Sequence, residues 1–260
     1  MIAFSLSVAT GMLGTAASAA GPHPASQPVS TVTGGVPVVY LTPPYQQNRS
    51  ATGMVIMCEL PQATPLRLAY GPTTNYGAVV DFQRERVADG AWICRALLAA
   101  LDPDTTYHYR LCLTNGTPAS ADATFYTAAT NDVDFCFGVW SDSQTGNGGD
   151  WNDPSEPARS MMRHMAASGV AFGLSAGDVV QSGTSYKDCR RFYLDNVARE
   201  LGPVAPWYVA WGNHDTPGTN APMRQASDMP SRHRPEFGPG NGSFAFTYAN
   251  CFFVCIDHFD

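Results

Sequence analysis

Apolar and polar positions follow two rhythms along this chain. Between Val36 and Ala129, short β-prone runs (VPVVYLTP, GMVIMCEL, LRLAYG, AWICRALL, TTYHYRLCLTN and ATFYTAA) recur between turn signals such as GPTTNYG and LDPDTTY, the spacing of a β-sandwich. In TYHYRLCL strict alternation puts Tyr107, Tyr109 and Leu111 on one face and His108, Arg110 and Cys112 on the other, as a half-buried strand requires. His108 reads there as a solvated strand residue. After TAATND the period lengthens. DFCFGVW (134–140), VAFGLSAG (170–177) and PWYVAWG (206–212) read as buried strands. Between them EPARSMMRHMAAS (156–168) reads as a helix with Ala158, Met161 and Met165 on one side. SYKDCRRFYLDNVAREL (185–201) reads as a second helix with Phe192 or Tyr193 and Val197 inward. Strand, helix, strand, helix, strand implies a parallel sheet with right-handed crossovers. FAFTYANCFFVCIDHF reads as a closing hairpin.

Composition narrows the class. The chain has 260 residues, 44% hydrophobic and 14% charged, enough to bury the cores of two domains. Net charge −7 gives no basic footprint for nucleic acid or an acidic membrane. The start, MIAFSLSVATGMLGTAASAAGPHP, closes on Ala17-Ser18-Ala19, the small-x-small pattern that a signal peptidase accepts, although no Lys or Arg precedes the apolar run. A signal peptide over 1–20 and a Pro, Ser, Thr and Gly-rich linker over 21–35 are therefore expected. The product would be secreted, extracellular or periplasmic, with no membrane span. Seven cysteines without a CxxC pair suit an oxidising compartment and leave disulfide connectivity open. Cys251 and Cys255 share a strand face but stand too far apart to bridge. Asn48, Asn115 and Asn241 lie in N-x-Ser/Thr sequons.

The candidate chemistry lies at the ends of the three strands of the second region. Asp142 and Gln144 follow the first, Asp178 the second, and Asn213, His214 and Asp215 the third. In a parallel sheet these ends share the carboxyl edge, where open α/β sheets place their sites. Two carboxylates and amide oxygens are donors suited to divalent cations, and Asp142 and Asp178 would repel each other without one. Taken singly, each is also an ordinary loop or N-cap residue.

Two family resemblances rest on these residues. LDPDTTYHYRL resembles the corner before the F strand of fibronectin type III domains, which implies such a domain over 36–129. The motifs at Asp142, Gly177-Asp178 and Gly212-Asn213-His214-Asp215 resemble those of calcineurin-like metallophosphoesterases. With a fibronectin-like domain in front, the likeness is to purple acid phosphatases and their bacterial relatives. The fold implied for 132–260 is the N-terminal part of an αββα sandwich. The resemblance implies two divalent or trivalent metal ions (Fe, Zn or Mn), with Asp178 bridging, Asp142 on the first and Asn213 on the second. His214 would bind the phosphate or protonate the leaving group, Asn213 would also meet the substrate, and Gln144 would be a weak ligand. Asp215 would orient His214 or cap the loop. The implied activity is hydrolysis of a phosphate-ester small molecule or phosphorylated substrate by a metal-bound hydroxide.

Three departures qualify the likeness. Gln144 stands where many members have histidine, and its neutral amide oxygen is a weaker donor to iron or zinc. Gln181 replaces the tyrosine whose iron bond colours the purple enzymes, so a colourless protein is expected. Asp260 precedes the family's later histidine motifs, so the chain is expected to be a fragment of a longer gene product, holding part of the site and lacking activity by itself. His258, His164, His233 and His23 are poor substitutes. Arg224, Arg232 and Arg234 are candidate substrate contacts. The alternative is a noncatalytic surface or binding protein on a degenerate phosphoesterase scaffold.

Overall fold

A computed structural model describes residues 38–87, 90–144, 156–215, 222–233 and 242–257. The expected signal peptide and linker, Arg234, Asn241 and His258 lie outside these residues.

The first region forms two four-stranded antiparallel sheets. Strands β1 (Thr42–Gln47), β2 (Met54–Leu60), β6 (Trp92–Leu98) and β5 (Gln83–Arg86) make one, in that spatial order. Strands β4 (Ala78–Asp81), β3 (Leu66–Gly71), β7 (Thr106–Leu113) and β8 (Ala123–Tyr126) make the other. Ile56, Cys58 and Leu60 from the first sheet meet Leu68, Tyr109, Leu111 and Phe125 from the second in one core. At the corner before β7 the Tyr107 hydroxyl accepts the Asp102 N–H at 2.9 Å. His108, expected to be solvated, holds Asp122 through its ring at 2.8 Å.

Strand β2 is buried along its whole length. Its run MVIMCEL is nearly all apolar, the pattern of a strand covered on both faces. One face enters the sandwich core, while Val55 and Met57 join a second core shared with Trp207, Tyr193 and Val197. The two regions therefore pack over a common apolar layer.

The second region is layered. Strands β9 (Phe137–Trp140), β10 (Phe172–Ser175) and β11 (Trp207–Val209) are parallel, with β10 central. Helices α1 (Glu156–Ala167) and α2 (186–198) cover one face. The hairpin of β12 (Phe244–Tyr248) and β13 (Cys251–Cys255) covers the other. On the helix side Gly138 and Gly173 leave room for Met165, Trp140 and Leu201, since a Cβ at Gly173 would lie 2.6 Å from the Trp140 ring. On the hairpin side Phe246 stacks on Tyr208 with centroids 3.9 Å apart, and Phe253 sets its edge to Phe172 at 5.1 Å. Such aromatic pairs contribute beyond their buried area.

Two expectations change. Helix α1 centres its buried face on Ala158 and Met162, with Met161 and Met165 flanking. Helix α2 opens as a short α-helical turn (Tyr186–Asp188), capped by the Ser185 hydroxyl, and continues as a π-helical run (Cys189–Ala198). The wider turn shifts the phase, so Phe192 and Tyr193 are both buried. All seven cysteines are free thiols.

Candidate active site

Parallel pairing brings the ends of β9, β10 and β11 to one edge, and the backbone then ties the three loops together. Asp142 N–H donates to Gly177 O at 3.0 Å, and Gln144 N–H to Asp178 O at 3.2 Å. His214 N–H reaches the Asp178 carboxylate at 3.1 Å. Both aspartates hold left-handed backbone, with φ of 50° at Asp142 and 52° at Asp178. Such residues cost about 1 kcal/mol or more and persist where the surroundings over-determine them. Gly212 makes the approach of the third loop possible. A Cβ there would lie 2.1 Å from Asp178 Oδ1 and 2.5 Å from Asp178 N.

Asp215 locks the second and third loops together. Its Oδ1 accepts the N–H groups of Val179 (2.9 Å) and Val180 (3.1 Å), and Oδ2 accepts Gly212 N–H at 3.0 Å. Burial pushes its carboxyl up to about 6, against the pull of those three amides and with a further push from Asp178. Of its two expected roles, the structure displays the cap. The His214 ring is oriented instead by Gln181, whose carbonyl lies 2.8 Å from Nδ1. A carbonyl only accepts, so Nδ1 carries the proton. Nε2 is then a lone pair on the neutral ring and a donor when the ring is protonated.

The donor set consists of the Asp142 and Asp178 carboxylates with the amides of Asn213 and Gln144. Asn213 is exposed, and Gln144 Oε1 is buried without a hydrogen-bond partner among the described residues. A desolvated acceptor beside two aspartate loops suits an oxygen-ligated cation. Among the described residues, no three His, Cys, Asp or Glu side chains group as a metal centre. No helix among them is long and apolar enough to cross a membrane.

Residues 139–258 match the family model of calcineurin-like phosphoesterases. The match covers most of the second region. Among solved structures, purple acid phosphatase PPD1 from yellow lupin (Lupinus luteus) seeds superposes with a TM-score of 0.62 at 14% identity, over 82% of this chain and 45% of that one. A structure of PhoD superposes with a TM-score of 0.52 at 16% identity, over 86% of this chain and 52% of that one. These likenesses concern the fold and extend beyond the matched family segment into the N-terminal sheets. The chain spans about half the length of each. No curated protein matches its sequence.

Several side chains near the site do otherwise than expected. Arg232, a candidate substrate contact, lies 3.3 Å from Glu85 and donates to Arg224 O. Arg224 lies over the Trp211 ring at 5.6 Å and 3.6 Å from Asp257. His233 is exposed, as expected, and its ring also holds buried Asp228 at 2.5 Å. Asp228 carried no signal in the sequence, because it sits in the run QASDMP without periodicity or motif.

Proposed function

We propose that the chain is part of a secreted metal-dependent phosphoesterase. The observation that supports it best is the joining of three strand-end loops around Asp178, through Gly177 O, Asp178 O and the Asp178 carboxylate. Asp178 would bridge two cations, Asp142 and Asn213 would each hold one, and Gln144 Oε1 would add an oxygen to the first. When bound, two such cations supply Lewis-acid polarisation of the phosphoryl oxygens and a lowered pKa for water. His214, held through Nδ1 by Gln181 O, would present Nε2–H to the ester oxygen as its bond to phosphorus breaks. The proton leaves Nε2 for the departing alkoxide, and the imidazole is neutral afterwards. The substrate would be a phosphate-ester small molecule or phosphorylated substrate.

For the N-terminal sheets we infer a fibronectin type III-like domain. The sheet orders β1-β2-β6-β5 and β4-β3-β7-β8 and the Tyr107 corner support that reading, being those of immunoglobulin-like sandwiches.

The test is Mn2+ binding by calorimetry alongside p-nitrophenyl phosphate hydrolysis, for the wild type and Asp178→Asn. The variant should lose metal binding, and with it any turnover the wild type shows. Metal content unchanged in Asp178→Asn would remove the bridging role. A folded wild type that binds no metal would favour the noncatalytic scaffold.

A further inference from the structure

The segment after the Gly-Asn-His-Asp loop is held from the other half of the molecule. Arg95 on β6 is 4% exposed. Its Nε lies 3.1 Å from Asp228 Oδ2. One terminal nitrogen donates to Gln225 O and lies 3.4 Å from Ser227 O, and the other lies 3.2 Å from Glu85. The Tyr45 hydroxyl on β1 donates to Ala226 O at 2.7 Å. Gln47 Oε1 accepts Asp228 N–H at 3.1 Å, and Asn48 Nδ2 donates to Asp228 Oδ1 at 3.1 Å. Every residue from Gln225 to Asp228 is thus gripped by a polar side chain of the first region. A guanidinium is suited to this because its donors form a planar fork that serves several acceptors at once.

The short helix α3 (Pro222–Ala226) carries that grip towards the site. Arg224, one residue before the gripped stretch, covers Trp211. Trp211 precedes Gly212, whose N–H bonds Asp215 and whose α-carbon faces Asp178. We propose that the sheet β1-β2-β6-β5 is a positioning element of the phosphoesterase site. Arg95 is the positioning residue that fixes α3 and, through Arg224 and Trp211, the loop from Gly212 to Asp215. The proposal rests on the phosphoesterase reading for the identity of the site, but the mechanical link stands or falls separately. It assigns the N-terminal region a part in the site, where a sandwich in front of an enzyme otherwise serves as a spacer or docking module.

Amide hydrogen exchange on the full chain tests it, comparing wild type with Arg95→Met and Tyr45→Phe. The amides of Gly212, His214 and Asp215 are all bonded in the folded chain. In Arg95→Met they should exchange about tenfold faster, while Gly173 and Ala176, bonded within the parallel sheet, keep the wild-type rate. Tyr45→Phe should act in the same direction and more weakly. Faster exchange confined to residues 225–228, with the loop unchanged, overturns the proposal. If Arg95→Met does not fold, Tyr45→Phe, which removes one hydroxyl, decides alone. In parallel, the Mn2+ dissociation constant of the folded variant should rise while stoichiometry stays constant, a change that mere loss of folded protein does not produce. A wild type without Mn2+ binding would end the phosphoesterase reading and leave the exchange result to judge the link.

Discussion

The two regions of this protein both contain left-handed non-glycine residues, yet only the parallel sheet of the second brings two of them together. In the antiparallel sheets, Asn48, Tyr76, Ala100 and Asp104 sit in separate turns and connections. In the parallel sheet, Asp142 and Asp178 end neighbouring strands side by side. The cause is the direction of return. An antiparallel connection reverses the chain, so successive strand ends alternate between the two edges. A helical crossover carries the chain back, so successive ends pile up on one edge. Similar backbone conformations thus make separate turns in one region and join two aspartate loops in the other.

Two glycines offer the sharpest way to break this comparison. Gly212→Ala should cost about 3 kcal/mol, because its Cβ collides with Asp178 and the loops must part. Mn2+ binding should be lost with it, and urea denaturation and calorimetry would measure the two effects. Asp215→Asn should cost about 2 kcal/mol by setting an amide donor against N–H groups that need an acceptor. Slack between the second and third loops should appear as faster exchange at Val179 and Val180. Gly116→Ala is the counterpart in the sandwich. Its φ is +87° with nothing within 4 Å, so strain alone costs about 1 kcal/mol, and metal binding should be unchanged. A Gly116→Ala that weakened Mn2+ binding would refute the division between the regions. Tyr107→Phe should likewise cost about 1 kcal/mol in the sandwich by removing the corner hydrogen bond.

The smallest expected effect is on reactivity. Burial pushes the Cys255 thiol from 9.0 up to about 12, so the fold favours the protonated form. Its stabilising share is fully present below pH 9 and is lost as pH rises towards 12. At pH 8 iodoacetamide should therefore modify exposed Cys136 well before Cys255, as peptide mass spectrometry would report. Equal rates would show that the hairpin opens freely.

Much of this was legible from residue order. The switch from period two to longer helical spacing marks the change of architecture near Asn131, and the three polar strand ends mark one edge. What escaped had no local signature. The continuous apolar run of β2 implied burial on both faces without naming the second partner. The π-helical phase of α2 changed which aromatic residues point inward, because 3.6-residue periodicity was assumed for it. Asp228 escaped because its partners, Arg95 and Asn48, lie far away in sequence.

By itself the sequence determined strand and helix types, the parallel connection and the side chains delivered to the sheet edge, since these depend on local spacing and chirality. Only the tertiary structure decided that Asp215 clamps loops, that Gln181 orients His214 through its carbonyl, and that Arg95 holds the segment beyond the site. Each of those bonds a side chain to a backbone group or a charge distant along the chain. Backbone groups are the same in every residue, so no sequence pattern says which of them a side chain will reach.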